Sequence, residues 1–390
     1  MVDELVSEDN AFRVERSVQS ILHNQEANGA IIASPDFAQY HYCWLRDGSF
    51  CAYALDLAGE HEASARYHSW VNDAVAGIAD DIDGVIAQHE RGEAPDRLHM
   101  PPARFDLDGS IVVDDWPNFQ IDGYGTWLWS LGQHLELAGA AGVPEHLFGS
   151  VNRVARYLSA FALSPCYDVW EESGDDVHTS TLACVYGGLV AAHRLLGNID
   201  YQTSAERVRA RVFDDAARVG HFVKSSANDD VDGSLLWLSV PFGVVHPADR
   251  SFAATVTLIE DRLGLDGGIR RYTADVYFGS GAWPVLTGSL GLHYLALGDP
   301  QGARRCKDWI SDHIDQSGRL GEQFGGEVRD PKHFHEWIEL WGPPAQDLTW
   351  SHAMYVVLSI ALESFEDSDE GKQSLPAMDS KLTSREEGTS

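Results

Sequence analysis

The chain has 390 residues, 44% of them apolar, enough for one large domain or two ordinary ones around a sizeable core. Against 28 basic residues stand 60 acidic ones, and the formal charge is −32. That sign excludes nucleic acid as a partner, because phosphate binding needs the opposite charge. An acidic excess spread along the whole chain fits a surface adapted to high salt, where ions screen the self-repulsion, or an ordinary acidic cytosolic enzyme.

The N-terminus, MVDELVSEDN, is acidic and has no signal-peptide core, so the chain reads as soluble and cytoplasmic. Helical periodicity dominates. It predicts helices near 10–25, 44–59, 62–79, 122–139, 147–163, 178–196, 202–218, 219–226, 250–263, 281–297, 300–314 and 347–364. These come in two kinds. In YQTSAERVRARVFDDAARV, Ala205, Val208, Val212 and Ala216 share one face and charges fill the other. TLACVYGGLVAAHRLL, WPVLTGSLGLHYLAL and LTWSHAMYVVLSIAL are apolar nearly all round and must be buried on all sides. The two kinds tend to alternate, which predicts an all-α architecture: an inner ring of buried helices inside an outer amphipathic ring, an (α/α)6 barrel. A helical solenoid is the alternative, but no short fixed repeat is present. The longest apolar runs, Leu235 to Val245 and Met354 to Leu362, are too short to span a bilayer. Residues 365–390 are polar and charged and read as a disordered acidic tail, leaving 1–364 as one barrel domain. The five cysteines are scattered with no metal spacing and read as buried free thiols.

Loops ahead of the apolar helices are rich in aromatic and charged residues: YHYCWLRDGSF, DDWPNFQIDGYGTW, CYDVWEESGDD, GGIRRYTADVYFGSGAW, GEQFGGEVRD and AQDLTWS. Parallel inner helices would gather these loops at one end of the barrel. Indole and phenol rings stack on the C–H face of a pyranose, and Arg–Asp pairs bond its hydroxyls with fixed geometry. Cleaving a glycosidic bond takes two carboxyl groups, one to protonate the leaving oxygen and one to activate water. Glu171, Glu172, Glu322, Asp47, Asp122 and Asp275 are candidates.

These residues resemble the catalytic domain of glucoamylases, glycoside hydrolase family 15. WPNFQIDG is similar to the family's W-x-x-x-Q-x-D-G loop, and YDVWEE to YDLWEE. RYTADVYFGSGAW repeats the R-Y-x-x-D-x-Y-x-x-x-x-x-W spacing, and EQF and DLTWSHA are similar to EQY and DLTWSYA. The motifs run in family order over residues 10–364. The resemblance implies an inverting, exo-acting α-glucosidase that releases β-glucose from maltooligosaccharides or soluble α-glucans. Trehalase- and dextran-type glucosidases share the core and stay open. So does a non-catalytic carbohydrate-binding or regulatory protein on the same barrel, which retention of both carboxylate positions argues against.

The resemblance gives Glu171 the acid position, Glu322 the base position and Glu172 a substrate contact. Arg46, Asp47 and Arg271 would hold the terminal glucose, with Trp116 and Trp283 as stacking walls. Trp44, Asp122, Asp168, Trp170, Asp275 and Gln323 fill out the site. Glu171 should keep its proton through Glu172, Asp168 and packing against Trp170, whereas Glu322 should sit ionised in a polar setting near arginines. No cofactor is expected, although some relatives bind a structural calcium. The chain starts almost at the first barrel helix, so soluble maltooligosaccharides fit better than granular starch.

Blander readings apply elsewhere. Trp127, Trp129, Trp237 and Trp309 lie in apolar or helical runs and read as core. Arg46–Asp47 could be a structural ion pair. KHFHEW offers His333, His335 and Glu336 as a metal set, but a loop histidine pair is usually not one. His352 is as well placed for the core as for the site. Residues 325–346 read as a long loop at the rim, able to cap it. Asp175 and Asp176 read as solvated surface charge.

Overall fold

The computed structural model describes residues 2–140, 142–325 and 330–367. The α-helices in chain order are α1 (Val2–His23), α2 (Leu45–Leu57), α3 (His61–Gly77), α4 (Ala79–Glu90), α5 (Asp122–Leu137), α6 (Glu145–Phe161), α7 (Thr179–Leu196), α8 (Ile199–Val219), α9 (Arg250–Leu263), α10 (Pro284–Ala296), α11 (Pro300–Asp312), α12 (Pro331–Trp341) and α13 (Thr349–Asp367). Apolar segments that need partners on every side find them in a closed ring. α2 packs on α5, α5 on α7, α7 on a 3-10 segment at Gly233–Leu238, that segment on α10, α10 on α13, and α13 back on α2. Amphipathic α1, α3, α6, α8, α9 and α11 lie outside, each with its apolar stripe inward. This is the (α/α)6 barrel.

Two features hold the ring together. Thr349, at the start of α13, donates its backbone N–H to Ala33 and its hydroxyl to the Ile32 carbonyl (2.6 Å), and Asn24 donates to the same hydroxyl (3.0 Å). The last stave is thereby tied to the loop after the first helix. Glycines bring α5 and α7 into backbone contact: a Cβ on Gly125 would meet the Cys184 carbonyl oxygen at 2.4 Å, and one on Gly188 would meet the Gly125 Cα at 2.6 Å.

Short strands lace the mouth. β1 (Cys43–Trp44) pairs antiparallel with β2 (Arg104–Phe105), setting Trp44 opposite Arg104. β3 (Gly264–Leu265) and β4 (Gly268–Arg270) form a hairpin, and β4 pairs with β5 (Ala282–Trp283). α2, α5, α7 and α10 begin without a side-chain cap, whereas outer α8, α9 and α11 are capped by Asn198, Asp249 and Asp299. The positive ends of these inner dipoles therefore face the mouth, where they favour carboxylates.

Several expectations need correction. The helix expected near 219–226 does not form. α8 stops at Gly220 in a left-handed conformation (φ 85°), and the next residues are drawn out to pair with the loop ahead of α7, where Thr179 donates to the Lys224 carbonyl. The sixth inner stave is the 3-10 segment instead. The helix expected over 62–79 breaks at Ile78, and α4, with its acidic first turn, was not foreseen. The rim loop 325–346 carries α12, capped by Asp330, and the final helix runs on to Asp367. The rest of the expected tail, 368–390, lies outside the described residues. The core tryptophans are as expected, Trp127, Trp129, Trp237 and Trp309 all being buried, and the five cysteines are buried and unpaired. Among the described residues no helix is long and apolar enough to cross a membrane.

The close approach of α5 and α7 is testable. Gly125→Ala should destabilise the fold by roughly 1–3 kcal/mol, read as a lower denaturant midpoint, because the added methyl meets backbone that cannot turn aside.

Candidate active site

Each inner helix delivers the residues just ahead of it to the mouth. The turn before α7 is wound around one carboxylate. Asp168 Oδ1 accepts from the backbone N–H groups of Trp170 and Glu172, both at 2.9 Å, while the Asp168 N–H donates to the Glu172 carbonyl (3.0 Å). This turn holds Glu171 at φ 68°, a left-handed conformation that a non-glycine residue adopts only under constraint. Asp168 Oδ2 takes the buried Lys224 ammonium (3.1 Å), which also meets Asp232 (2.6 Å) and sits 3.9 Å above the Tyr272 ring. Trp170 donates its indole N–H to Asp232 (3.0 Å). Asp168 and Trp170 are thus braces, with their polar atoms turned to the protein.

Glu171 accepts the indole N–H of Trp44 at 2.6 Å. Burial raises its pKa, against the opposing pull of Arg46, Trp44, Trp116 and Gln120. Its aromatic partner is therefore Trp44, delivered by β1, and not Trp170. Arg46 is locked between Asp122 (2.8 Å) and Asp47 (3.4 Å) with its guanidinium 5.5 Å from the Trp350 ring. Burial first, then the nearby Glu171 and Asp122 charges, push Asp47 up to about 6 despite Arg46. Trp116 packs edge-on against Trp44 at 5.9 Å, and the Arg104 guanidinium covers it at 4.2 Å.

On the other side stands Glu322, whose loop is held by two backbone attachments. Its N–H donates to Ala345 (2.9 Å), and Phe324 and Ala282 exchange hydrogen bonds. Glu322 Oε1 accepts from the Tyr40 hydroxyl (2.8 Å), while Oε2 has no geometrically formed hydrogen bond among the described residues. Burial pushes its pKa up to about 8, outweighing Tyr40 and Arg271. The expected polar, ionising environment is not what the fold provides, because the loop is folded under the rim with the side chain 1% exposed. Arg271 makes a bidentate pair with Asp275 (2.5 and 3.0 Å), reaches Glu172 at 3.5 Å, and is flanked by Trp170, Tyr272, Tyr277 and Trp283. Asp275 is thus committed to orienting Arg271. Glu172 also accepts from the Tyr272 hydroxyl. Gln323 accepts from the Gly281 N–H at 2.8 Å.

Tyr40 joins the halves. Its hydroxyl meets Glu322 and Tyr277 (2.8 Å each), and its ring packs edge-on against Trp44 at 5.6 Å. The two glutamates thus lie on either side of a Tyr40–Trp44 pair. Among the described residues Asp122 Oδ1, Trp283 Nε1, Glu322 Oε2 and Gln323 Nε2 are buried without a hydrogen-bond partner, and Arg46 Nε and Asp47 Oδ2 have their mutual ion pair at 3.4 Å but no formed hydrogen bond. Such a cluster of mixed donors and acceptors suits a ligand rich in hydroxyls. Sequence reasoning quoted Tyr40, Tyr277 and Gln120 within motifs but gave them no role. Lys224 and Asp232 were missed; the one signal was a rare lysine in an acidic, apolar stretch.

Other readings resolve as follows. His352 is a core histidine, bonded to Asp347 (2.8 Å) and Ser17 (3.1 Å). His333 is occupied by Asp330 (2.7 Å), and His333, His335 and Glu336 form no ligand group among the described residues. Asp175 is exposed in an ion pair with Arg97, but Asp176 is not simply solvated, since it accepts from Ser225 (2.8 Å). α12 lies over the base side, with Trp337 packed on Tyr277 (5.0 Å) and Phe278 (5.9 Å).

A helical barrel with two inward-facing glutamates, one half-buried and one buried, and stacked arginines at the ends of its inner helices defines a glycoside hydrolase. The family model for glycosyl hydrolases family 15 matches residues 10–321, and the chain belongs to that family. It is 39% identical to an isomaltose glucohydrolase of Kribbella flavida over 87% of this chain and 89% of that protein. A solved wild-type glycosidase superposes with a TM-score of 0.86 at 38% identity, covering 91% of this chain and 99% of that one. A glucoamylase from Saccharomycopsis fibuligera shares the fold (TM-score 0.69, 15% identity, 92% of this chain and 95% of that one).

Lys224 neutralises two buried aspartates. Lys224→Met should cost about 3–5 kcal/mol, seen as a large fall in melting temperature, because it leaves Asp168 and Asp232 facing each other unpaired. An unchanged melting temperature would show that the cluster tolerates both charges without it.

Proposed function

We propose that the chain is an inverting, exo-acting α-glucosidase whose catalytic unit is the barrel of residues 1–364. The observation that carries this is the pair of glutamates, Glu171 half-buried and Glu322 buried, on either side of Tyr40 and Trp44. Glu171, whose pKa burial raises, donates its proton to the glycosidic oxygen. Glu322 uses the unpartnered Oε2 to take a proton from the water that attacks the opposite face of the sugar ring, giving β-glucose. Arg46, Asp47, Asp122, Glu172, Arg271 and Gln323 offer the terminal sugar its hydrogen bonds, with Trp116 and Trp283 as apolar walls. Asp168, Trp170 and Asp275 position these groups, and Trp44 orients Glu171.

Maltooligosaccharides were the first substrate expectation. Similarity to an isomaltose glucohydrolase over most of both chains now favours short α-1,6-linked glucosides. Initial rates on isomaltose, maltose, maltotriose, trehalose and dextran, with the released anomer followed by NMR, test both points. The highest kcat/KM on isomaltose with β-glucose appearing first is expected; α-glucose first would overturn inversion. Glu171→Gln and Glu322→Gln should each lose at least about a thousandfold in kcat while still binding sugar. Sugar binding without glucose release by the unaltered chain would favour a non-catalytic carbohydrate-binding protein.

The raised Glu322 carboxyl makes a further outcome specific. Glu322 must be ionised to act as base, so activity is lost as pH falls through its pKa. The acid limb of kcat/KM should therefore lie well above the ordinary glutamate range, toward about 8. A limb near 4 would show that Glu322 ionises as a solvated carboxylate does.

We also place the enzyme in the cytoplasm of a salt-adapted cell, on the charge of −32. If self-repulsion limits stability, the melting temperature should climb between about 0.1 and 2 M KCl, as added ions shorten the screening length. A flat response would leave an ordinary acidic enzyme.

A further inference from the structure

At the other end of the barrel, the inner helices carry a second polar cluster that the proposed reaction does not use. Asp56 stands nine residues beyond Asp47 on α2, and His134 twelve beyond Asp122 on α5, about 14 and 18 Å further along their helices. His68 reaches the same point from α3. All three are buried. Asp56 accepts from His134 (2.9 Å), from His61 (2.9 Å) and from Ser64 (2.6 Å). His68 lies 5.1 Å from the His134 ring, centroid to centroid, yet neither of its ring nitrogens has a hydrogen-bond partner among the described residues.

A buried imidazole with both nitrogens unpartnered is costly, and a satisfied core histidine does not look like this. One ligand atom from each of Asp56, His68 and His134 lies within 4.8 Å of the other two. Tetrahedral zinc with bonds of about 2.0–2.2 Å needs ligand atoms about 3.3–3.6 Å apart, so side-chain adjustments of about 1 Å would close the cluster.

We propose that Asp56, His68 and His134 form a binding site for a divalent transition metal of the zinc class, a structural clamp joining α2, α3 and α5 at the end of the barrel away from the sugar. Two imidazoles and a carboxylate suit zinc better than calcium or magnesium, which take oxygen donors. One carboxylate against a divalent ion leaves one positive charge, which an acidic protein accommodates readily. The fourth position falls to water or to His61, whose side chain is 44% accessible and gives the ion a way in from solvent.

The full chain, stripped with a chelator, is incubated with zinc chloride, passed through a desalting column and analysed for metal. About one zinc ion per chain should remain, and the melting temperature should rise by several degrees over the chelated protein. His68→Phe removes both ring nitrogens but keeps an aromatic ring in place; it should lose the retained zinc and the thermal shift. His333→Ala should keep both. Retention far below one zinc per wild-type chain overturns the proposal, as does equal retention by His68→Phe. If that variant does not fold, cobalt in the wild-type chain decides: intense visible bands of a four- or five-coordinate ion support the site, and the weak spectrum of aqueous cobalt overturns it.

Discussion

One buried ammonium ties the acid side of the site to the barrel wall. Lys224 neutralises Asp168 and Asp232, which lie in separate segments, and burial disfavours its charge less than the two carboxylates favour it. Asp168 winds the turn that holds Glu171 in a left-handed conformation. Asp232 caps the Gly233–Leu238 segment, accepting from the Ser234 N–H (2.9 Å), and anchors the Trp170 indole. A single charge balance thereby couples the geometry of the proposed acid to the least regular stave of the ring. It also explains why this stave can be a short 3-10 turn: its start is fixed by an ion cluster as well as by packing.

The same economy governs the arginines. Arg46 and Arg271 are buried, each between carboxylates and each with aromatic rings against the guanidinium. A guanidinium tolerates this because it stays charged, is weakly hydrated and stacks well. Each arginine therefore brings fixed positive charge to a site containing Asp47, Glu171, Glu172 and Glu322. The carboxyl groups respond unequally, since their shifts follow the balance between burial and that charge. Glu322 is lifted to about 8 and Asp47 to about 6: burial dominates at both, and Asp47 lies directly against the Arg46 guanidinium.

Much of this was legible in one sequence, and the rest was hidden for identifiable reasons. Helices apolar on every face had to be inside, so α7, α10 and α13 could be placed in the inner ring from composition alone. The ordered aromatic-charged loops marked the mouth. Residues 219–226 misled because their apolar periodicity was real, but Gly220 and the pull of the α7 loop outweighed a weak helical preference. α12 was overlooked because Pro331, Gly342 and neighbouring Pro343 and Pro344 mark a loop at both ends of a segment that is helical between them. Trp170 follows Asp168 and precedes Glu171 in the chain, so it read as the partner of Glu171. The left-handed turn sends the two side chains apart, one to Asp232 and the other to Trp44.

By itself the sequence determined the architecture, and it pointed to the end of the barrel proposed to carry the chemistry and to the two glutamates proposed at its centre. Those follow from local periodicity and from residue types grouped within a few positions of each other. Only the tertiary structure decided which carboxylates are free and which are braces, how far burial lifts Glu322, and that Asp56, His68 and His134 meet. These depend on which distant segments share a desolvated volume, and solvation and Coulomb energies are set by distance in space, not along the chain.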